Sequence, residues 1–189
     1  MGGSSFAVPR WNREPWLYRD RIFKGSCVDI GGFGDPLAHY RAHLPNITHW
    51  TILDERKADF PDVEMLQWDA HTMPPGRTWD VVYSSHCLEH MITPEVVLTA
   101  WWPAVAPGGY LVLILPSWEH YERKQWPPQR NVDHRSAWVL GMPPQGTTIP
   151  FVSLTALTFH LLGGNLIRAL TLDEGFDPAP WDQTIPGTC

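Results

Sequence analysis

Cys27-Val28-Asp29-Ile30-Gly31-Gly32-Phe33-Gly34-Asp35 decides how the rest of the chain reads. A short apolar run entering a glycine turn predicts a buried strand that stops where a ligand approaches the main chain. Glycine there allows positive φ and leaves room for that approach. Asp35 and Pro36 then open a predicted helix through Leu44, with Asp35 as N-cap and Pro36 at the first helical position. Strand, glycine turn and helix begin a nucleotide-type βαβ unit.

Outward from this stretch the pattern repeats. His49–Glu55 predicts a second strand ending in two acids, Asp54 and Glu55. An acid at that place can accept both hydroxyl hydrogens of a ribose. Val63–Ala70 reads as a third short strand, ending in Asp69-Ala70, and residues 73–77 as a loop. Trp79–Ser85 has the β-branched and aromatic content of a buried parallel strand. His86-Cys87-Leu88-Glu89-His90 stands at its end. Thr93 and Pro94 start a helix that runs through Trp102, residues 106–109 form a turn, and Tyr110–Pro116 is a fifth, apolar strand. Leu154–Leu162 predicts a helix and Leu166–Asp173 a sixth strand. Strands alternating with helices imply an α/β chain, a Rossmann-like, doubly wound, mostly parallel sheet with helices on both faces. Ligands of such sheets bind beyond the C-terminal strand ends. Asp29, Gly31, Gly32, Gly34, Asp54, Glu55, Asp69, Ala70, Ser85 and His86 all fall there and are the expected cofactor-binding residues.

Composition sets the bounds. The 189 residues, 43% hydrophobic and 18% charged, suit one globular domain. A net charge of −6 argues against nucleic acid and anionic membrane as partners. Three cysteines without framework spacing suit a reducing, cytoplasmic setting. The most apolar region, 96–115, is broken by Pro103, Pro107, Gly108 and Gly109 and does not read as a membrane span. Residues 1–24 form a basic, aromatic N-terminal segment, in which 1–8 read as small and flexible and 9–24 as a helix packed on the sheet. Residues 25–176 form the main domain, and 177–189 a proline-rich tail. Within the domain, residues 117–150 are an insertion rich in Trp, Pro and charge, expected to be a long functional loop.

These residues resemble the class I S-adenosylmethionine-dependent methyltransferases. Val28-Asp29-Ile30-Gly31 is similar to their first motif, Leu53-Asp54 to the second-strand acid, and Trp68-Asp69-Ala70 to the adenine-contacting acid. Asp80 through His90 resembles the fourth-strand segment of the broad group that includes the ubiquinone-biosynthesis methyltransferases, and Ala106–Pro116 the turn and fifth strand. The resemblance covers roughly residues 25–175 and implies S-adenosylmethionine as cofactor. It departs in two places. Phe33 and Asp35 stand where the family's last two loop glycines are expected, and no apolar run follows for a closing seventh strand. The open edge that this leaves predicts cover by a second copy of the chain.

Methyl transfer from a sulfonium is an in-line displacement that requires a held acceptor. An oxygen or nitrogen acceptor also calls for a base, and histidine suits that. His86, His90 and His134 are the candidates, with His120 also near the expected mouth. Glu89, His90 and His134 together are similar to the metal-assisted small-RNA 2′-O-methyltransferases, with His86 where that pattern begins with Glu. That implies a divalent ion, Mg or Mn, on these three residues. The aromatic, proline-rich insertion suits a small hydroxylated acceptor, such as a sugar, nucleotide-sugar or metabolite, and O-methylation. Three alternatives stand beside this one. They are an inactive cofactor-binding or partner subunit, a nucleic-acid 2′-O-methyltransferase, and a His-x-x-Glu-His zinc peptidase built on His86, Glu89 and His90.

Overall fold

The computed structural model describes residues 21–160 together with Val8, Asn165 and Ala169. The expected N-terminal helix lies mostly outside the described residues. So do the last two residues of the Leu154–Leu162 helix, nearly all of the sixth strand at 166–173, and the tail.

Five parallel strands form the main sheet: β1 (Gly25–Ile30), β2 (Ile47–Asp54), β3 (Glu64–Gln67), β4 (Trp79–Ser85) and β5 (Val105–Ile114), in the order β3-β2-β1-β4-β5. The order reverses between β1 and β4, and a doubly wound sheet opens its ligand crevice at such a point. Cys27 pairs with Trp50 on one side and Val81 on the other, and Ile30 with Leu53 and Ser84. The strand ends are therefore in register. Alternation divides the core. Val28, Ile30 and Val82 face a cluster with Leu88, Val97, Leu98 and Trp101, while Cys27, Val81 and Tyr83 face Phe23, Leu37, Leu44 and Trp50. Helix α1 (Pro94–Trp101) covers the first face through Val97, Leu98 and Trp101. Its Pro94 sits at the first turn as expected, but the Thr93 side chain makes no capping bond. The fully buried Trp101 donates Nε1–H to the Ala70 carbonyl at 2.8 Å, which meets its one polar demand.

Three local expectations are corrected. Residues 37–43 form a 3-10 helix with a kink at Tyr40, not an α-helix capped by Asp35. Pro36 before it and Pro45 after it leave only two turns, and the residue preceding a proline is pushed out of the α region. Asp35 instead accepts a hydrogen bond from the Tyr40 hydroxyl at 2.9 Å. Second, residues 106–109 are an irregularity inside β5 rather than a turn before it. Val105 pairs with Trp79, and the ladder resumes at Val81 with Tyr110. Gly108 takes a φ of 79°, and a Cβ on Gly109 would lie 2.6 Å from the Asp80 carbonyl, so glycine lets the strand pass. Third, residues 117–150 are not a structureless loop. Strand β6 (Ala137–Val139) pairs in parallel with β7 (Phe151–Ser153), which leads into α2 (Leu154–His160). Trp118 packs edge-on against Phe151 with ring centres 4.9 Å apart, and Trp138 joins the core. The aromatic content of the insertion is thus used to fasten it to the domain.

Candidate active site

The strand ends present the expected residues with unequal exposure. Asp29 is buried beneath the glycine turn, and its Oδ2 accepts the Leu37 amide at 2.7 Å. Burial, opposed by that bond and aided by the charges of Asp35 and Asp54, pushes its pKa up to about 8. Gly31 adopts a φ of 74° and donates its amide to the Leu53 carbonyl at 2.8 Å. A side chain on Gly32 would collide with the Asp29 carboxyl, whereas Gly34 stands in open space. Asp54 is buried at the end of β2 and accepts amides from Phe33 at 3.3 Å and Arg56 at 2.9 Å. The Arg56 guanidinium reaches both Asp54 oxygens and lies 4.2 Å over the Phe33 ring. Glu55 is exposed, and its carbonyl accepts from Gln67. Asp69 is exposed, and its Oδ1 accepts the His71 amide and meets His71 Nδ1 at 2.8 Å. Ala70 is buried under Trp101. Ser85 is half-buried at the end of β4, and its hydroxyl has no hydrogen-bond partner.

Beyond β4 the chain turns sharply. His86 takes a φ of 53°, and Leu88–His90 is a single 3-10 turn. A His-x-x-Glu-His peptidase pattern needs an α-helix presenting both histidines, so the zinc-peptidase alternative fails on this geometry. The turn carries Glu89 inward until it is fully buried. The insertion comes back to meet it: the Arg135 amide donates to the Glu89 carbonyl at 2.7 Å, which seats His134 beside the Glu89 side chain. His86 Nδ1 lies 3.2 Å and His134 Nε2 3.8 Å from Glu89 Oε1. The His90 and His134 rings stand edge to face with centres 4.9 Å apart. Burial raises the pKa of Glu89, but contact with His86 and the charges of His86, His134 and His90 outweigh it and hold the group below its ordinary value. Burial also lowers the pKa of His90, with help from His134.

One participant escapes sequence reasoning. Glu122, also buried, holds His134 Nδ1 at 2.5 Å, and Tyr121 stacks on the His134 ring at 5.5 Å. Nothing in the run Trp118–Glu122 marks Glu122, because its partner lies 12 residues further along a loop of irregular path. His134 itself is 3% exposed and does not line the open cleft, of about 610 Å³, formed by His71, His90, Ile92 and Arg135. His120 is exposed on the insertion.

The parallel sheet, its switch point and the acid-bearing strand ends agree with comparisons to known proteins. The methyltransferase domain family matches residues 18–159, well over half of the chain. The chain belongs to the class I S-adenosylmethionine-dependent methyltransferases. This methyltransferase is similar in fold to a protein from Bacillus halodurans described as a candidate methyltransferase, with a TM-score of 0.54 at 15% identity over 79% of this chain and 64% of that one. It is also similar to the sugar N-methyltransferase KedS8 from Streptoalloteichus, at 18% identity and a TM-score of 0.46 over 60% of this chain and 49% of that one. A third likeness is to CalS10, an amino pentose methyltransferase from Micromonospora echinaspora, at 22% identity and a TM-score of 0.42 over 58% and 49%. The chain thus spans 49 to 64% of the length of these solved structures. No curated protein sequence matches it. S-Adenosylmethionine is the cofactor of the family, and no described helix is long and apolar enough to cross a membrane.

Proposed function

We propose that the chain transfers the methyl group of S-adenosylmethionine to a hydroxyl oxygen of a small acceptor, such as a sugar, nucleotide-sugar or other hydroxylated metabolite. In this reading Gly31, Gly32 and Gly34 let the cofactor approach the main chain and Asp29 holds the turn beneath it. Asp54, with Glu55 beside it, takes the ribose. Asp69 and Ala70 border the adenine, and Ser85 and His86 close the site toward the sulfonium. One observation carries the choice of acceptor: the cleft beside these strand ends is lined by His71, His90 and Arg135, with Ile92 as its apolar side. Imidazoles and a guanidinium suit a molecule rich in hydroxyls, and the net charge of −6 suits a small acceptor better than a nucleic acid.

The acceptor oxygen forms a bond to the methyl carbon as the carbon–sulfur bond breaks, and the electron pair stays on sulfur. The hydroxyl proton must leave. His90 borders the cleft with a lowered pKa and can receive the proton near neutral pH, with the half-buried His86 as the second candidate base. The test uses cofactor with a labelled methyl group and matched panels of hydroxyl- and amine-bearing sugars. Label in a stable ether product supports the reading. Transfer to amines alone, or none despite tight S-adenosylhomocysteine binding, would overturn it.

A further inference from the structure

We propose that Glu89, His90 and His134 form a binding site for a divalent transition-metal ion of the zinc, cobalt or manganese type, with Glu122 orienting His134. The three residues come from two distant stretches, the turn after β4 and the insertion. Each offers one ligand atom, and these atoms all lie within 4.8 Å of one another. Two donors about 2.0–2.2 Å from a common centre lie at most about 4.4 Å apart, so binding an ion would draw this set slightly together.

Two independent observations point to a missing ligand. Glu89 is fully buried; His86 Nδ1 lies 3.2 Å from Oε1 without an aligned hydrogen bond, and Oε2 has no hydrogen-bond partner. His90 Nδ1 is likewise buried and without a hydrogen-bond partner. A buried carboxylate in that condition is costly unless a cation meets it. The second observation is the arrangement behind His134. Glu122 holds one ring nitrogen, Nδ1, and leaves Nε2 facing Glu89 at 3.8 Å. A carboxylate that orients a histidine in this way is the usual support of a metal-bound imidazole. Charge agrees. Glu89 and Glu122 bring two buried carboxylates, and a divalent cation offsets them.

The donor set also selects the ion. Two imidazoles and one carboxylate suit zinc, cobalt, iron or manganese, whereas magnesium prefers oxygen and retains its water. Magnesium, one of the two ions implied by the resemblance, should therefore bind this set more weakly. Three protein ligands leave coordination positions open, and His90 borders the cleft, so these positions are within reach of a molecule bound there. The site shares its place with the proposed acceptor cleft: with the ion on His90 the proton-accepting role falls to His86, and metal binding does not depend on methyl transfer.

The test uses the full chain, stripped with chelator and then titrated with Co²⁺, Zn²⁺ and Mg²⁺. Calorimetry and the visible absorption of bound cobalt are the readouts. One cobalt or zinc ion should bind per chain, with the absorption of a low-symmetry nitrogen–oxygen site, and magnesium should bind at least about 100-fold more weakly. His134→Asn and His90→Asn should each abolish the cobalt spectrum. Glu122→Gln should weaken binding about 10- to 100-fold, and His49→Asn, on the outer part of the sheet, should leave it unchanged. S-Adenosylhomocysteine binding and circular dichroism, measured on the same samples, separate loss of the site from loss of the fold. Absence of stoichiometric binding by the folded wild type, or binding that survives both histidine variants, would overturn the proposal. Failure of methyl transfer with metal binding intact would count only against the acceptor reading.

Discussion

Arg56 grips Asp54 from two positions further along the chain, with Nε 2.9 Å from Oδ1 and Nη2 3.2 Å from Oδ2. Asp54 is buried and the guanidinium is held flat over Phe33, so the pair is pre-organised rather than a loose surface contact. Those oxygens are the ones that a ribose would need. On the proposed ribose role of Asp54, cofactor binding would displace at least one of these bonds. Arg56→Ala should tighten S-adenosylhomocysteine binding by roughly 3- to 10-fold, about the worth of one charge-assisted bond exchanged for another. Asp54→Ala should weaken it by at least about tenfold. Calorimetry checks both, and weaker binding in Arg56→Ala would mean that the guanidinium contacts the cofactor instead of competing with it.

The glycine turn yields a contrast between neighbours. Gly32→Ala places a methyl group against the Asp29 carboxyl, which is itself fixed by the Leu37 amide. A clash with so constrained a partner should cost about 1–3 kcal/mol and loosen the turn. Gly34→Ala meets nothing within 4 Å and should be nearly neutral. Thermal unfolding of the two variants reads the difference directly. Equal effects would refute the packing of Asp29 under Gly32.

Asp29 also predicts a pH dependence. Its folded pKa is raised by burial from 3.8 to about 8. Between those values the folded chain retains a proton that the unfolded chain has released. Stability should therefore fall as pH rises through this window and level off above it. Asp29→Asn keeps the size of the side chain and an acceptor for the Leu37 amide, and it removes the titration. Denaturant unfolding from about pH 5 to about pH 8.5 should show a flatter profile in the variant. The same slope in both proteins would assign the titration to another group.

Glu64 predicts the opposite sign. Hydrogen bonding from Arg77 is the largest cause lowering its pKa, from 4.5 to about 2, with His49 and Thr51 assisting against burial. Arg77 meets its two oxygens at 2.8 and 2.6 Å. A depressed acid contributes stability above its unfolded value and loses it as pH falls toward its folded value. The pair is a third exposed, so screening should limit the contribution to about 1 kcal/mol or less. Glu64→Gln should be slightly less stable than wild type at neutral pH, and the gap should narrow below pH 4.5 and in high salt. A gap that ignores both would mean that shape, not charge, holds the contact.

Much of the fold was legible because parallel strands buried on both faces write continuous apolar runs. Trp79–Ser85 was read to the residue, and the Pro94 helix start was correct. The errors came where local signals competed. Ala106-Pro107-Gly108-Gly109 has turn composition, yet the neighbouring β4 backbone draws it into a strand as an irregularity. Asp35-Pro36 has the form of a helix start, yet the prolines confine the segment to a kinked 3-10 helix. The insertion, read as a loop, supplies β6 to a small parallel sheet with β7 just beyond it, because three-residue strands leave no periodicity to detect.

The sequence by itself determined the order of elements, the parallel sheet and the row of acids and glycines at its strand ends, because these depend on runs of neighbouring residues. It also named Glu89, His90 and His134 by type. Only the tertiary structure decided that they meet. It closed the distance between the β4 turn and the insertion through the Arg135 amide and the Glu89 carbonyl, placed Glu122 behind His134, and set Arg56 across Asp54. Such contacts depend on the path of an irregular loop through space and on which groups are shut away from water, and neither is written in the spacing of residues along a chain.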